Sequence, residues 1–149
     1  MRILLAGARG QLGIALQECL PRSIELIACS RKDFDLVNLA SCREIIARLK
    51  PDWIINAAAY TAVDQAELDE DLAYSVNAKA PKALALALAK YGGRLLQIST
   101  DFVFNGRQGC SYNVKHPIDP INVYGLSKAR GEEAVKLCPG SYVIRTSWL

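Results

Sequence analysis

The sequence predicts an α/β fold, a doubly wound parallel sheet with helices on both faces, and three observations predict it. Short apolar runs alternate with helix-patterned segments, the runs are apolar throughout, and a glycine-spaced turn joins the first run to the first helix pattern. Strands and helices taking turns are the signature of parallel strands joined by crossover helices. A strand without polar alternation is one whose two faces are both covered.

The expected strands lie at 2–6, 24–29, 52–58, 94–99 and 141–148, and the helices at 11–20, 39–50, 67–91 and 123–137. Pro81 falls inside the third helical pattern. Because proline is accepted only in a first turn, a boundary is expected at 77–81. The segment 104–121 is rich in Gly, Asn, Asp and Pro, and connections of that length often serve as lids or binding loops. No internal repeat or interdomain linker is visible, so residues 1–149 read as one dinucleotide-binding domain. The chain stops at the end of the last strand pattern with no polar tail, which leads us to expect a truncated chain.

Composition excludes several classes. Of the 149 residues 22% are charged, with a net charge of +3, and the basic residues are scattered rather than gathered into the stripe a nucleic-acid binder needs. Five cysteines, widely spaced and without a C-x-x-C pair, give neither a disulfide framework nor a zinc site. The apolar run at the N-terminus is interrupted by glycine and arginine, and none is long enough for a membrane span. A soluble, cytoplasmic protein is expected.

The turn after the first strand reads Gly7-Ala8-Arg9-Gly10-Gln11-Leu12-Gly13. Glycines here allow a tight turn, let the backbone approach a pyrophosphate at the helix N-terminus, and let helix and strand pack closely. After the second strand comes Cys29-Ser30-Arg31-Lys32, without the carboxylate that usually holds a ribose 2′-hydroxyl. A hydroxyl and two cations suit a 2′-phosphate, so NADPH is the expected cofactor, with NADH as the alternative. Asp35-Leu36 could place a carboxylate near the adenine. The third strand ends in Asn56-Ala57-Ala58-Ala59-Tyr60, a floor of small side chains for a ligand lying across the strand ends.

Tyr124 and Lys128 stand four apart on a predicted helix and share a face. An ammonium beside a phenol favours phenolate, so Lys128 is expected to lower the Tyr124 pKa and tune it for proton transfer. Thr100 ends a strand, in the crevice region where open α/β sheets bind ligands, and its hydroxyl could hydrogen-bond a carbonyl oxygen.

With "GARGQLG", "PDWIINAAAYTAVDQAE", "STDFVFNG", "INVYGLSKARGEEAV" and "RTSW" in this order, the chain resembles the extended short-chain dehydrogenase/reductase family over its whole length. The resemblance implies a Rossmann domain and reduction of the 4-keto group of dTDP-4-dehydro-6-deoxy-L-mannose to dTDP-L-rhamnose, the work of cell-surface polysaccharide biosynthesis. It further implies that Tyr124 donates the proton, that Lys128 tunes it and holds the nicotinamide ribose, and that Thr100 polarises the ketone. Gln11, Leu12, Asp35, Leu36, Ala59, Tyr60 and Thr61 would line the cofactor; Asp101 and Trp148 would touch the substrate. Related dehydratases carry Asp-Glu after the threonine, whereas Asp101 is followed by Phe102, which favours plain ketone reduction. Some members hold magnesium at a dimer contact through a glutamate where this chain has Ala15, so no metal is expected, while a homodimer stays compatible. A smaller substrate domain would lie beyond the present chain. Two alternatives remain open: a non-catalytic dinucleotide-binding regulatory subunit, and another sugar-nucleotide reductase or epimerase.

The remaining polar candidates read as structural. His116 is the only histidine and sits in a proline-rich loop, Asp64 and Glu67 suit the capping of a helix start, Trp53 belongs to the core, and Arg145 is an ion-pair partner.

Overall fold

The computed structural model describes residues 1–148. Five strands, β1 (Arg2–Ala6), β2 (Glu25–Cys29), β3 (Trp53–Asn56), β4 (Arg94–Thr100) and β5 (Tyr142–Thr146), form one parallel sheet in the order β2-β1-β3-β4-β5. The helices are α1 (Gln11–Cys19), α2 (Leu39–Leu49), α3 (Glu70–Tyr74), α4 (Ala80–Ala89) and α5 (Val123–Val135). No helix among the described residues is long and apolar enough to cross a membrane.

Strand β1 shows why the apolar runs do not alternate. Leu4 and Ala6 point into one cluster with Cys42 and Ile46 of α2 and Leu84 and Leu88 of α4; Ile3 and Leu5 point into another, against Leu16 of α1. Both faces of the central strands are therefore dry. The edge differs from this expectation: α1 covers one face only near β1 and its neighbours, and on β5 Tyr142 and Ile144 remain 60% and 44% exposed. Trp53 is accordingly half-buried, stacked on Tyr142 at 6.1 Å with the Arg94 guanidinium over its ring.

The boundary expected around Pro81 takes the form of a π-turn, Ser75–Lys79, through which α3 runs on into α4. Pro81 has no N–H to offer the Asn77 carbonyl four residues earlier. That carbonyl instead lies against Gly131 of α5, where a side-chain carbon would collide with it. The chain thus accommodates the proline by widening one turn, and α5 packs directly on the exposed peptide group.

The long segment 104–121 is ordered by its own aromatic residues. Phe104 stacks on Tyr112 at 4.2 Å, His116 meets both rings edge-on, and Asn105 donates to Asp119 at 2.7 Å. This gives His116 a packing role, as the sequence suggests.

Candidate active site

The strand order reverses direction between β1 and β3, and open α/β sheets bind ligands at that switch, beyond the carboxyl ends of the strands. A cleft of about 580 Å³ lies there. Gly7, Gly10, Gln11, Leu12, Ser30, Arg31, Asp35, Leu36, Ala58, Ala59, Tyr60 and Thr61 all line it, so twelve of the fifteen expected cofactor residues converge, while Gly13, Tyr124 and Lys128 are not among its lining residues. Ala57, part of the expected small-residue floor, lines it too. Arg9, Phe34, Val37, Leu72 and Val76 also line the cleft and were not singled out from sequence. Arg9 carried a signal, a cation inside the glycine turn; the apolar four are indistinguishable in sequence from core residues.

The three glycines do different work. Gly7 has φ +82°, a left-handed conformation, and a side-chain carbon there would stand 2.7 Å from the Ala58 nitrogen. Gly13 does not line the cleft; it is buried, and a side chain on it would collide with the Gly7 carbonyl and come within 2.8 Å of Ala8 Cα. Gly10 is unlike both. It is exposed, has φ −77°, and its added carbon would meet nothing nearer than the Gly7 oxygen at 3.4 Å. It also begins α1 with no side-chain cap on the helix N–H groups, so the backbone donors at this end are offered to the cleft. A side chain at Gly10 would fill space that the fold itself leaves open, the geometry a closely approaching pyrophosphate requires.

At the end of β2 the Ser30 hydroxyl and amide both donate to Asp33 Oδ2, at 2.6 and 2.9 Å. These bonds hold the Asp33 carboxyl below the usual carboxylate range, with the Arg9 and Lys32 charges helping. Ser30 is thus engaged within its own turn, a contact the sequence did not reveal. Arg31 is left 78% exposed, with a loose 3.7 Å pairing to Asp35.

Beyond Ala57 and Ala58, the cleft wall is pinned by a buried amide. Asn77 Oδ1 accepts from the Tyr60 N–H at 2.9 Å, while its Nδ2 donates to the Tyr60 carbonyl and to Ser127 Oγ, both at 3.0 Å. Ser127 in turn donates to the Tyr124 carbonyl at 2.7 Å. One residue therefore ties the cleft to the helix carrying Tyr124 and Lys128. Its letter in a helical pattern gave no hint of this.

Helix α5 begins where two side chains reach its free N–H groups: Asn122 Oδ1 accepts from Gly125 at 2.7 Å, and Glu67 Oε1 accepts from Val123 at 2.8 Å. Glu67 does cap a helix start, that of α5, 56 residues along the chain. Asp64 makes no such bond at the short turn Gln65–Glu67.

Along α5, Tyr124 and Lys128 are both buried, at 8% and 4% exposure. Lys128 Nζ donates to the Ile98 carbonyl at 2.6 Å, and burial lowers its pKa to about 8, with the nearby Glu132 carboxylate acting the other way. The Tyr124 phenol stands above its ordinary value, because burial raises it and Asp101 adds to that, while the Thr100 hydroxyl pulls it down. This corrects the expectation that Lys128 lowers the phenol. The pair shares a helix face, but the ammonium is bonded to a β4 carbonyl, and desolvation dominates.

Thr100 ends β4, accepts from the Phe102 N–H at 3.2 Å and donates to Asp101 Oδ1 at 3.1 Å. Asp101 is exposed. Trp148, two residues past β5, is fully exposed with φ 60°; because Thr146 pairs with Thr100, it leaves the sheet at the same edge. Arg145 forms the anticipated ion pair, with Glu132, at 2.6 Å. Among the described residues, no three His, Cys, Asp or Glu side chains gather where they could hold a metal ion.

The family model described as the RmlD substrate binding domain matches residues 1–149. A dTDP-4-dehydrorhamnose reductase of Aggregatibacter actinomycetemcomitans is 43% identical over 99% of this chain and 51% of its own length. Crystal structures of reductases of the same name superpose closely. That from Bacillus anthracis, in complex with NADP, gives a TM-score of 0.95 at 41% identity, covering 99% of this chain and 53% of the other. That from Clostridium acetobutylicum gives 0.97 at 41%, covering 99% and 54%. The chain spans about half the length of the relatives it matches. With the family model matched along its whole length, the chain belongs to the RmlD substrate-binding-domain family.

Proposed function

We propose that residues 1–149 are the dinucleotide-binding portion of an NADPH-dependent reductase. In this reading it converts the 4-keto group of dTDP-4-dehydro-6-deoxy-L-mannose to the hydroxyl of dTDP-L-rhamnose in the cytoplasm, and NADH can replace NADPH. The observation that supports the reading is that the end of β4 receives two residues of α5, the Thr100 hydroxyl acting on Tyr124 and the Ile98 carbonyl accepting from Lys128, in the sheet whose switch-point cleft is floored by glycine and alanine. The names of the relatives and the NADP complex of the Bacillus anthracis enzyme support it.

The cleft fits a dinucleotide: Gly7 and Gly10 leave room for the pyrophosphate against the N-terminus of α1, and Arg31 with Arg9 offers cations for a 2′-phosphate. When bound, the reduced nicotinamide supplies a hydride. The protein's own part is proton delivery. Burial keeps the Tyr124 phenol protonated at neutral pH, as a donor to the developing alkoxide must be. The phenolate left behind is met by the positive charge of Lys128. The single Thr100 hydroxyl proton turns to the ketone oxygen and polarises it. Asp101 and Trp148 contact the sugar nucleotide, with further contacts from the other half of the relatives' length, and a homodimer is compatible with this arrangement.

The test is Tyr124→Phe in the protein that carries this chain, followed by nicotinamide absorbance with the keto sugar and by NADPH titration. Turnover falls by about 10²–10⁴-fold while NADPH affinity is unchanged. Turnover at the parental rate sinks the assignment.

A further inference from the structure

Glu132 has no part in the chemistry above, yet it is a buried carboxylate, 8% exposed, one helical turn beyond Lys128. Its Oε1 accepts from Ser99 Oγ at 2.6 Å and from Arg145 Nε at 2.8 Å, and its Oε2 accepts from Arg145 Nη2 at 2.6 Å. Ser99 and Arg145 are register partners on β4 and β5, so they stand side by side facing α5. Arg145 is itself seated over the Phe104 ring at 5.0 Å. Three consecutive residues at the end of β4 thus hold three successive turns of α5. The Ile98 carbonyl takes Lys128, the Ser99 hydroxyl takes Glu132, and the Thr100 hydroxyl acts on Tyr124.

We propose that Glu132, clamped by Ser99 and Arg145, is a positioning residue for the proton-transfer pair: it fixes the rotation of α5 against the end of β4 and supplies the negative charge that keeps Lys128 an ammonium. The inference rests on the reading of Tyr124 and Lys128 as that pair. A buried ion pair can instead be a mere fastener between a helix and two strands, and such pairs are often no more stabilising than apolar residues of the same volume. What separates the two roles is the charge. Burial brings Lys128 to about 8, close to the working range, and Glu132 is the neighbour that opposes the fall. The other charged or titratable groups around the pair are Arg145 on β5, which is bonded to Glu132, Asp101 just past β4, and Tyr124 itself. From the π-turn packed on α5 the group presented is the neutral amide of Asn77.

The experiment is titration of the Lys128 ¹³Cε resonance in the full chain, identified by its loss in Lys128→Arg, together with the pH dependence of turnover in the protein that carries this chain. Glu132→Gln keeps the shape and removes the charge, and it lowers the Lys128 midpoint by about one unit; the alkaline limb of turnover moves down with it. Glu132→Asp, which retains the charge, restores most of the midpoint. Should Glu132→Gln not fold, the double change Glu132→Gln/Arg145→Met leaves no buried charge unpaired and lowers the midpoint in the same direction. A midpoint that stays at the parental value in a folded variant overturns the proposal, as does a midpoint that moves without the turnover limb. The resonance is read without cofactor, so a failure of NADPH binding or of the Tyr124→Phe result is told apart from a failure of this one.

Discussion

The cleft beyond β1 and β3 and the face of α5 against β4 are built on opposite plans. The cleft is made by leaving things out: no side chains at Gly7 and Gly10, methyl groups only at Ala57 to Ala59, and an uncapped helix end, with Gly13 letting that helix sit close behind them. The α5 face is made by putting polar groups in, with Lys128 and Glu132 buried against β4 and none of their buried side-chain atoms unpaired. An empty site is broken by bulk, and a filled polar site is broken by removing a partner or a charge. Three substitutions sharpen that contrast.

The largest effect belongs to Gly13→Val. Its side chain would drive into the Gly7 carbonyl and the Ala8 backbone, neither of which is a flexible chain end. We expect a loss of about 3 kcal/mol or more, seen as a collapse of the thermal transition.

Lys128→Met comes next, with an effect that depends on pH. Lys128 has a folded pKa of about 8 against an ordinary 10.5, so between these values the unfolded chain binds a proton that the folded chain does not. Stability therefore rises with pH across that window; below it the full cost of burying the ammonium applies, on the order of 3 kcal/mol. Methionine removes that rise. Urea midpoints of the two proteins, compared at several pH values, give a difference in which the Cys29 and Cys42 thiols, pushed up by burial in both proteins, cancel. A difference independent of pH would refute the assignment.

The smallest effect on stability, about 1 kcal/mol or less, is expected for Gly10→Val, because the first carbon it adds meets nothing nearer than the Gly7 oxygen and the cost left is that of valine at a helix N-cap. The same change abolishes NADPH binding followed by nicotinamide fluorescence. If Gly10→Val bound NADPH normally, the cleft would not be a pyrophosphate site.

The two plans also explain what could be read from sequence. Absence is legible: glycine and alanine announce themselves, and apolar runs report strands covered on both faces, so β1 to β5 and the cleft lining were expected nearly where they lie. Buried polarity is not legible. Glu132 and Asn77 carry letters that suit an exposed helix face, and what buries them is partners far along the chain, such as Ser127, 50 residues from Asn77. The i, i+4 spacing placed Tyr124 and Lys128 on one face, but which carbonyl would receive the ammonium was a property of β4. Likewise Pro81 signalled an irregularity, while the fact that α3 and α4 continue through it depended on α5 receiving the freed carbonyl.

That carbonyl has a consequence for how such a sequence can change over time. Pro81 withholds the donor, the wide turn at Ser75–Lys79 turns the Asn77 peptide outward, and Gly131 makes the hollow that admits it. An exchange at Gly131 alone lifts α5 away from the helix beneath it. An exchange at Pro81 alone lets the turn tighten and draws the Asn77 amide off Tyr60. The three positions form a single geometric unit: the proline, the wide turn and the glycine each keep a space that the other two require.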